Sequence, residues 1–276
     1  MALEQIDGVS DNPFPFDIAT AAPSKLRAIF RSGAYRGTTA NMANGHTQGN
    51  LAVLPVSHAL DFARFCQRNP KPCPLVGMSD TGDPMMWTLG EDIDIRTDIP
   101  SYNIYRDGVF ESSVSNISEF WEEDSVAFVL GCSFSFEEAL MQARIPMRHM
   151  EINRTVPMYK TSIDLVPSGA FGGGMVVSMR PMSMEQAIQA SAITARFPHT
   201  HGMPVHIGDP DALGIRDIGD PEYGRPVTIR DSDITMFWAC GVTPQEALAE
   251  ARLPFAIAHS PGHMFVADIT SESTRI

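Results

Sequence analysis

The stretch CSFSFEEALMQARIP, residues 132–146, recurs without a gap as CGVTPQEALAEARLP, residues 240–254. The two agree at the cysteine, Glu138/Glu246, Ala139/Ala247, Leu140/Leu248, Ala143/Ala251, Arg144/Arg252 and the proline. Seven identities in fifteen positions are more than chance supplies, so the chain carries an internal duplication. Each copy has the same grammar. An apolar strand (126–130; 234–238) leads to the cysteine and then to a capping box, Ser135-x-x-Glu138 or Thr243-x-x-Glu246, with Pro244 suited to a first helical position. The helix must end near Arg144 or Arg252, because a proline disfavours helix in the residue before it. A strand starting at Met147 or Phe255 then completes a β-α-β unit.

Working outward, a Gly-Asp-Pro turn at Gly82 and again at Gly208 extends the match upstream. The fold class expected is α/β: two related halves with mixed sheets flanked by helices. The N-terminal half with its arm covers residues 1–165 and the C-terminal half 166–276. In the first half, a helix pattern begins at Ser24, with Gly33 as its stop. Residues 57–67 form a second helix closed by NPKPCP, and residues 75–78 a short strand. Between these helices lies a polar segment with Asn41, Asn44, His46, Gln48 and Asn50, which reads either as a capped surface loop or as a loop that touches substrate.

With 276 residues, 43% of them hydrophobic, the chain can bury a large core. A formal net charge of −13 argues against a nucleic-acid footprint or an anionic membrane surface, both of which reward clustered positive charge. No apolar run approaches spanning length and the N-terminus lacks a signal-peptide pattern, so a cytoplasmic protein is expected. Cys66, Cys73, Cys132 and Cys240 lack CxxC pairing and read as reduced packing thiols. Cys132 and Cys240 also stand at helix starts, where a thiol could be activated, but recurrence in both copies favours packing.

Polar groups are densest in residues 147–179, MRHMEINRTVPMYKTSIDLVPSGAFGGGMVVSM. Arg148, His149, Glu151, Asn153, Arg154, Tyr159, Lys160, Thr161 and Asp164 crowd there, interleaved with Met158, Leu165 and Phe171, before Gly172-Gly173-Gly174. An acidic protein must meet an anionic substrate with a local basic pocket, and Arg148, Arg154, Lys160 and Arg180 can supply it. The glycines fit neither a Rossmann nor a P-loop pattern and read as a carboxylate nest or as a tight turn. His199, His201 and His206 cluster, and His259 and His263 flank Ser-Pro-Gly. His206, Asp209 and His263 are the candidates for a composite metal set, without a zinc-motif helix to hold them.

The runs NPKPCPL (69–75), VPMYKT (156–161), VVSMRPM (176–182), HGMPVHIGDP (201–210), FWACGVTPQ (237–245) and HSPGHMFVAD (259–268) resemble the hydro-lyase family that includes D-glutamate cyclase. The resemblance spans residues 23–268 and places the polar segment at the pocket. It implies a lyase that eliminates water from a small carboxylate-bearing substrate, with D-glutamate going to 5-oxo-D-proline as precedent. It names no cofactor. Such a cyclisation needs a base for an ammonium proton, an acid for the departing oxygen and donors for the oxyanion. His149, Glu151, Lys160, His259 and His263 are the proton-transfer candidates. Arg148, Asn153, Arg154, Tyr159, Thr161 and Gly172 to Gly174 are the binding candidates. A non-catalytic binding protein for a small acid needs the same basic pocket, and self-association is left open.

Overall fold

The computed structural model describes residues 14–152 and 154–272. Helix α1 (Pro23–Arg31) buries Leu26 and Phe30 against Met42 and Val266. Strand β1 (His46–Pro55) runs directly into α2 (Val56–Arg68), and β2 (Leu75–Met78) follows. The hairpin β3 (Tyr102–Arg106) and β4 (Val109–Val114) precedes β5 (Ser125–Gly131), α3 (Phe134–Gln142) and the single turn α4 (Arg148–Glu151). Then come β6 (Met158–Asp164), β7 (Gly174–Met182), α5 (Met184–Thr194), the short β8 (His206–Ile207) and β9 (Ile234–Ala239). Helix α6 (Thr243–Ala251), β10 (Ala256–His259) and β11 (Phe265–Thr270) close the chain.

The strands form two sheets, β2-β5-β1-β10-β3-β4 with β11 also on β1, and β6-β7-β9-β8. Register shows the duplication directly. Gly49 pairs with Gly131 on β1 and β5, and Val177 with Ala239 on β7 and β9, one residue before the repeated cysteines in each case. Cys132 N–H donates to Gln48 O at 3.1 Å and Cys240 N–H to Val176 O at 3.0 Å. Arg144 and Arg252, which end the two helices, both take positive φ, 60° and 47°.

The capping boxes read from the sequence do not form. Ser133 and Val242 are the N-cap residues, and neither caps with its side chain. Ser135 and Thr243 instead turn into the sheet. Ser135 Oγ accepts from Gln48 N–H at 3.0 Å, and Thr243 Oγ1 accepts from Val176 N–H at 3.0 Å and donates to Val176 O at 3.2 Å. The hydroxyls therefore pin each helix to the first strand of its own copy, which a local pattern cannot distinguish from a cap. We expect Thr243→Val to cost about 1–3 kcal/mol, the range for leaving a buried backbone group without its partner. Chemical denaturation measures it, and a cost near zero would show that the strand amide finds water instead.

Three further expectations are corrected. No strand begins at Met147; residues after the first helix make the turn α4, and β6 starts only at Met158. The Gly-Asp-Pro turns are not equivalent, because Ser79 N–H donates to Ala127 O as Gly208 N–H donates to Thr235 O, so Gly208 corresponds to Ser79 and not to Gly82. The sheets are antiparallel at every strand pair among the described residues, not mixed. The reason for the last is the crossover. Each repeat helix carries the chain out of its own sheet: β6 joins β7 in the second sheet, while β10 and β11 join β1 in the first. The two sheets therefore do not follow a division of the chain near Val166.

One core joins the halves. Phe62 and Phe65 of α2, Phe128 of β5, Val177 and Met179 of β7, Phe237 of β9 and Leu248 of α6 share a single buried cluster. Phe62 meets Phe128 and Phe171 edge-on with centroids 4.9 and 5.0 Å apart, an arrangement that adds to area burial. Each exchanged strand brings side chains of one copy into the core of the other.

Candidate active site

The polar residues of 147–179 do not converge on one pocket. Arg148 is bound by the Asp233 carboxylate, with Nη2 to Oδ1 at 2.8 Å, and by Thr228 O at 2.6 Å. Lys160 reaches Glu246 Oε2 at 2.5 Å. Tyr159 donates to Ile218 O at 2.7 Å, and Thr161 to Met175 O at 2.7 Å. Glu151 and Arg154 are exposed, and Asn153 lies outside the described residues. In the glycine run, Gly173 takes φ 93° and its O accepts from Leu165 N–H at 2.9 Å, a tight turn into β7. A Cβ there would meet Glu250 Oε2 at 2.2 Å, which places a carboxylate beside the expected carboxylate nest.

His259 and His263 are also held by structure. Leu51 N–H donates to His259 Nδ1 at 3.1 Å, and the Gln245 amide lies 3.1 Å from Nε2; burial brings this ring down to about 4. His263 bonds the carbonyls of Pro261 and Arg36 at 2.9 and 3.1 Å, and burial lowers it too. His206 is elsewhere, 2.7 Å from Asp209 O. Among the described residues no group of three or more His, Cys, Asp or Glu side chains is placed to hold a metal ion. Cys132 and Cys240 are buried free thiols, pushed up by burial to about 12 and about 11, so they pack and do not attack.

His149, of the expected proton carriers, joins a buried charged cluster. Its Nε2 stands 3.4 Å from Glu137 Oε1 on α3, without hydrogen-bond alignment. The Arg180 guanidinium on β7 contacts the same Glu137 oxygen, and it donates to Ser178 Oγ at 3.0 Å and Ser133 Oγ at 3.3 Å. It also lies 5.5 Å from the ring centroids of both Phe136 and Trp238. Burial alone would push the Glu137 carboxyl up, but the Arg180 charge and His149 outweigh it and bring it down to about 2. All three side chains are buried.

Glu137 of this cluster lines a narrow crevice between the loop before β1 and helix α3. Asn41, Asn44, His46, Gln48, Glu137 and Met150 are among its walls, so the polar segment before β1 is a pocket wall. Four buried polar atoms of the cluster and the crevice have no hydrogen-bond partner among the described residues: Arg180 Nε, His149 Nε2, Gln48 Oε1 and His46 Nδ1. Orphaned atoms of this kind cost about 1–3 kcal/mol each, and the two on His46 and Gln48 belong to residues that line the crevice. A roomier cleft at the far end of β1 is lined by Arg106, Glu119, Glu122 and Asp124. None of the orphaned atoms borders it, and Arg106 is taken by Glu111 at 3.0 Å.

Glu137 escaped the sequence reading, although the repeat holds a signal for it. Its counterpart in the second copy is Gln245, and the counterpart of Ser133 is Gly241. Register puts Ala52 opposite Phe128 where Arg180 is opposite Met236, so Arg180 has an alanine as its counterpart. Each copy supplies one charge of the pair, Glu137 from the first and Arg180 from the second, where the equivalent position of the other copy is neutral.

The duplicated α/β scaffold thus carries a buried acid–guanidinium–imidazole cluster whose acid lines a polar crevice, and this is the candidate site. Comparison with known proteins gives the family. A family model described as D-glutamate cyclase matches residues 126–268. A protein of Jannaschia sp. named "Putative hydro-lyase" is 55% identical over 92% of this chain and 96% of its own. One of Ruegeria pomeroyi with that designation is 52% identical over 93% of each, and one of Burkholderia multivorans 54% identical over 92% and 98%. The chain belongs to the D-glutamate cyclase family, among relatives that carry the hydro-lyase name. A solved nitrogen repressor-like protein from Methanococcus jannaschii aligns over 93% of this chain and 98% of its own at TM-score 0.38 and 10% identity, from which nothing about this chain follows.

Proposed function

We propose that this protein is a lyase that eliminates water from a small amino or carboxylic acid, with closure of D-glutamate to 5-oxo-D-proline as the finer reading. The observation that carries it is the buried Arg180–Glu137–His149 cluster, in which Arg180 Nε and His149 Nε2 have no hydrogen-bond partner among the described residues and Glu137 lines the crevice. Arg180 Nε is a fixed cationic donor for a substrate carboxylate or a developing oxyanion, in a buried setting where such a donor is worth more than in water. Glu137 and the two serine hydroxyls hold the guanidinium in place. His149 passes a proton to the departing oxygen, and Gln48 Oε1 accepts from the substrate's ammonium group.

The test is incubation with a panel of small amino and hydroxy acids, D-glutamate included, following loss of one water by mass spectrometry. Turnover is expected with at least one acid. His149→Asn should lower it by roughly 100-fold or more, the scale of a lost proton carrier. Binding of an acid without loss of water from any of them would overturn the reading in favour of a small-acid binding protein.

A further inference from the structure

The two copies use one shared glutamate differently. Glu138 and Glu246 occupy the same position of the repeat helices. At Glu246 the carboxylate holds an ammonium group: Lys160 Nζ lies 2.5 Å from Oε2, and the Tyr223 hydroxyl donates to Oε1. Glu138 makes no ion pair among the described residues, and its Oε1 accepts from the neutral Gln142 amide at 3.0 Å. Register carries the equivalence into the loops before β1 and β7. Gly49 and Val177 are counterparts, so Gly45 matches Gly173, and both have left-handed backbone, φ 87° and 93°. Gln48 likewise matches Val176, and their amides donate to Ser135 Oγ and Thr243 Oγ1.

Glu138 lines the crevice together with Glu137, Gln48 and His46, and among the described residues no lysine or arginine lines it. Its free volume is about 10 Å³, room for one group the size of water and too little for a carboxylate. The Gln48 amide is oriented. Nε2 donates to Thr39 O at 3.1 Å and to Met42 O at 3.0 Å, which uses both of its hydrogens and leaves Oε1 as an acceptor without a donor. Gln48 is 4% exposed, and the scaffold does not require an amide there, since a buried valine, Val176, fills the same place in the other copy.

We propose that the crevice is an ammonium subsite, in which Glu138 and Gln48 Oε1 take a primary ammonium group of the substrate as Glu246 takes that of Lys160. The proposal rests on the lyase reading above for the molecule that brings the ammonium, and it makes that molecule an amino acid in preference to a hydroxy acid or a plain dicarboxylic acid. Gln48 and Glu138 are then the residues that set this specificity. A hydroxyl in the same place offers a single hydrogen and no charge, so Glu138 gains no charge-assisted bond from it.

The test measures binding by calorimetry, which reads with or without turnover. Each amino acid of the panel is compared with the analogue that has a hydroxyl in place of the amine, D-glutamate with D-2-hydroxyglutarate first. The wild type should bind at least one amino acid roughly 10-fold or more tighter than its hydroxy partner, the scale of a hydrogen bond to a charged group. Glu138→Gln keeps the side-chain size at a half-buried position, and it should erase most of that preference by weakening the amino acid alone. Gln48→Val, the residue of the other copy, should act in the same direction; if it fails to fold, Glu138→Gln decides. Methylammonium chloride should compete with the amino acid where potassium chloride at equal ionic strength does not. Equal affinity for the two partners, with no binding of either included, overturns the subsite, as does a Glu138→Gln that weakens both alike. Tighter binding of the amino acid on adding ammonium or potassium ions would give the crevice to a free ion and overturn it too. The two readings fail separately. An amine preference that depends on Glu138 without loss of water sinks only the lyase, whereas turnover without that preference sinks only the subsite.

Discussion

Arg180→Met is expected to destabilise the protein by about 3–5 kcal/mol, the loss seen when one partner of a buried ion pair is removed. The residue is 1% exposed and its guanidinium satisfies Glu137, which is 5% exposed. Without it the carboxylate keeps only His149 at 3.4 Å, and the packing against Phe136 and Trp238 is lost as well. Methionine fills much of the volume, so the loss reports charge more than cavity. The double variant Arg180→Met with Glu137→Met should recover most of the stability, because no buried charge is then left unpaired. Denaturant unfolding of the two single variants and the double variant measures the coupling. A loss under about 1 kcal/mol in Arg180→Met would show that Glu137 reaches water and that the cluster is not sealed.

The second large effect is acid sensitivity in two separate windows. Burial brings His201 and His259 down to about 4 in the folded chain, while unfolded histidine titrates near 6.5. Their contribution is therefore complete above pH 6.5, falls as the unfolded state takes up protons, and stops falling below about 4. A tenfold change in proton affinity is worth about 1.4 kcal/mol, so each ring accounts for about 3 kcal/mol across that range. Glu137 acts lower: its carboxyl, at about 2 against an ordinary 4.5, adds stability that is whole above 4.5 and lost as pH falls through 2. Urea midpoints measured from neutral pH to about 4 should drop steeply in the wild type, and the slope should flatten in His259→Asn and again in His201→Asn. A midpoint independent of pH in that range would mean that both rings protonate freely in the folded state.

The candidate site shows why function was harder to read than family. Charge density along residues 147–179 suggested convergence, but Arg148 and Lys160 leave the strands and turns that carry them toward separate carboxylates, Asp233 and Glu246, both remote in sequence. Local crowding shows which groups are available and says nothing of where each points. Glu137, by contrast, sits in the repeat helix at a position where the two copies differ, 43 residues from Arg180, and the two meet only in the folded core.

The sequence by itself determined the duplication, its strand–helix grammar, the packing role of Cys132 and Cys240, and the family. These follow from periodicity, spacing and identity, which are local properties of a chain. Only the tertiary structure decided that the halves exchange strands, that Ser135 and Thr243 bond sheet instead of capping helix, and that the charged cluster belongs to Glu137, His149 and Arg180. The physical reason is common to all three. A hydroxyl, a carboxylate or a guanidinium satisfies itself with whichever partner the packed core brings within about 3 Å, and the core is assembled from segments far apart in the chain.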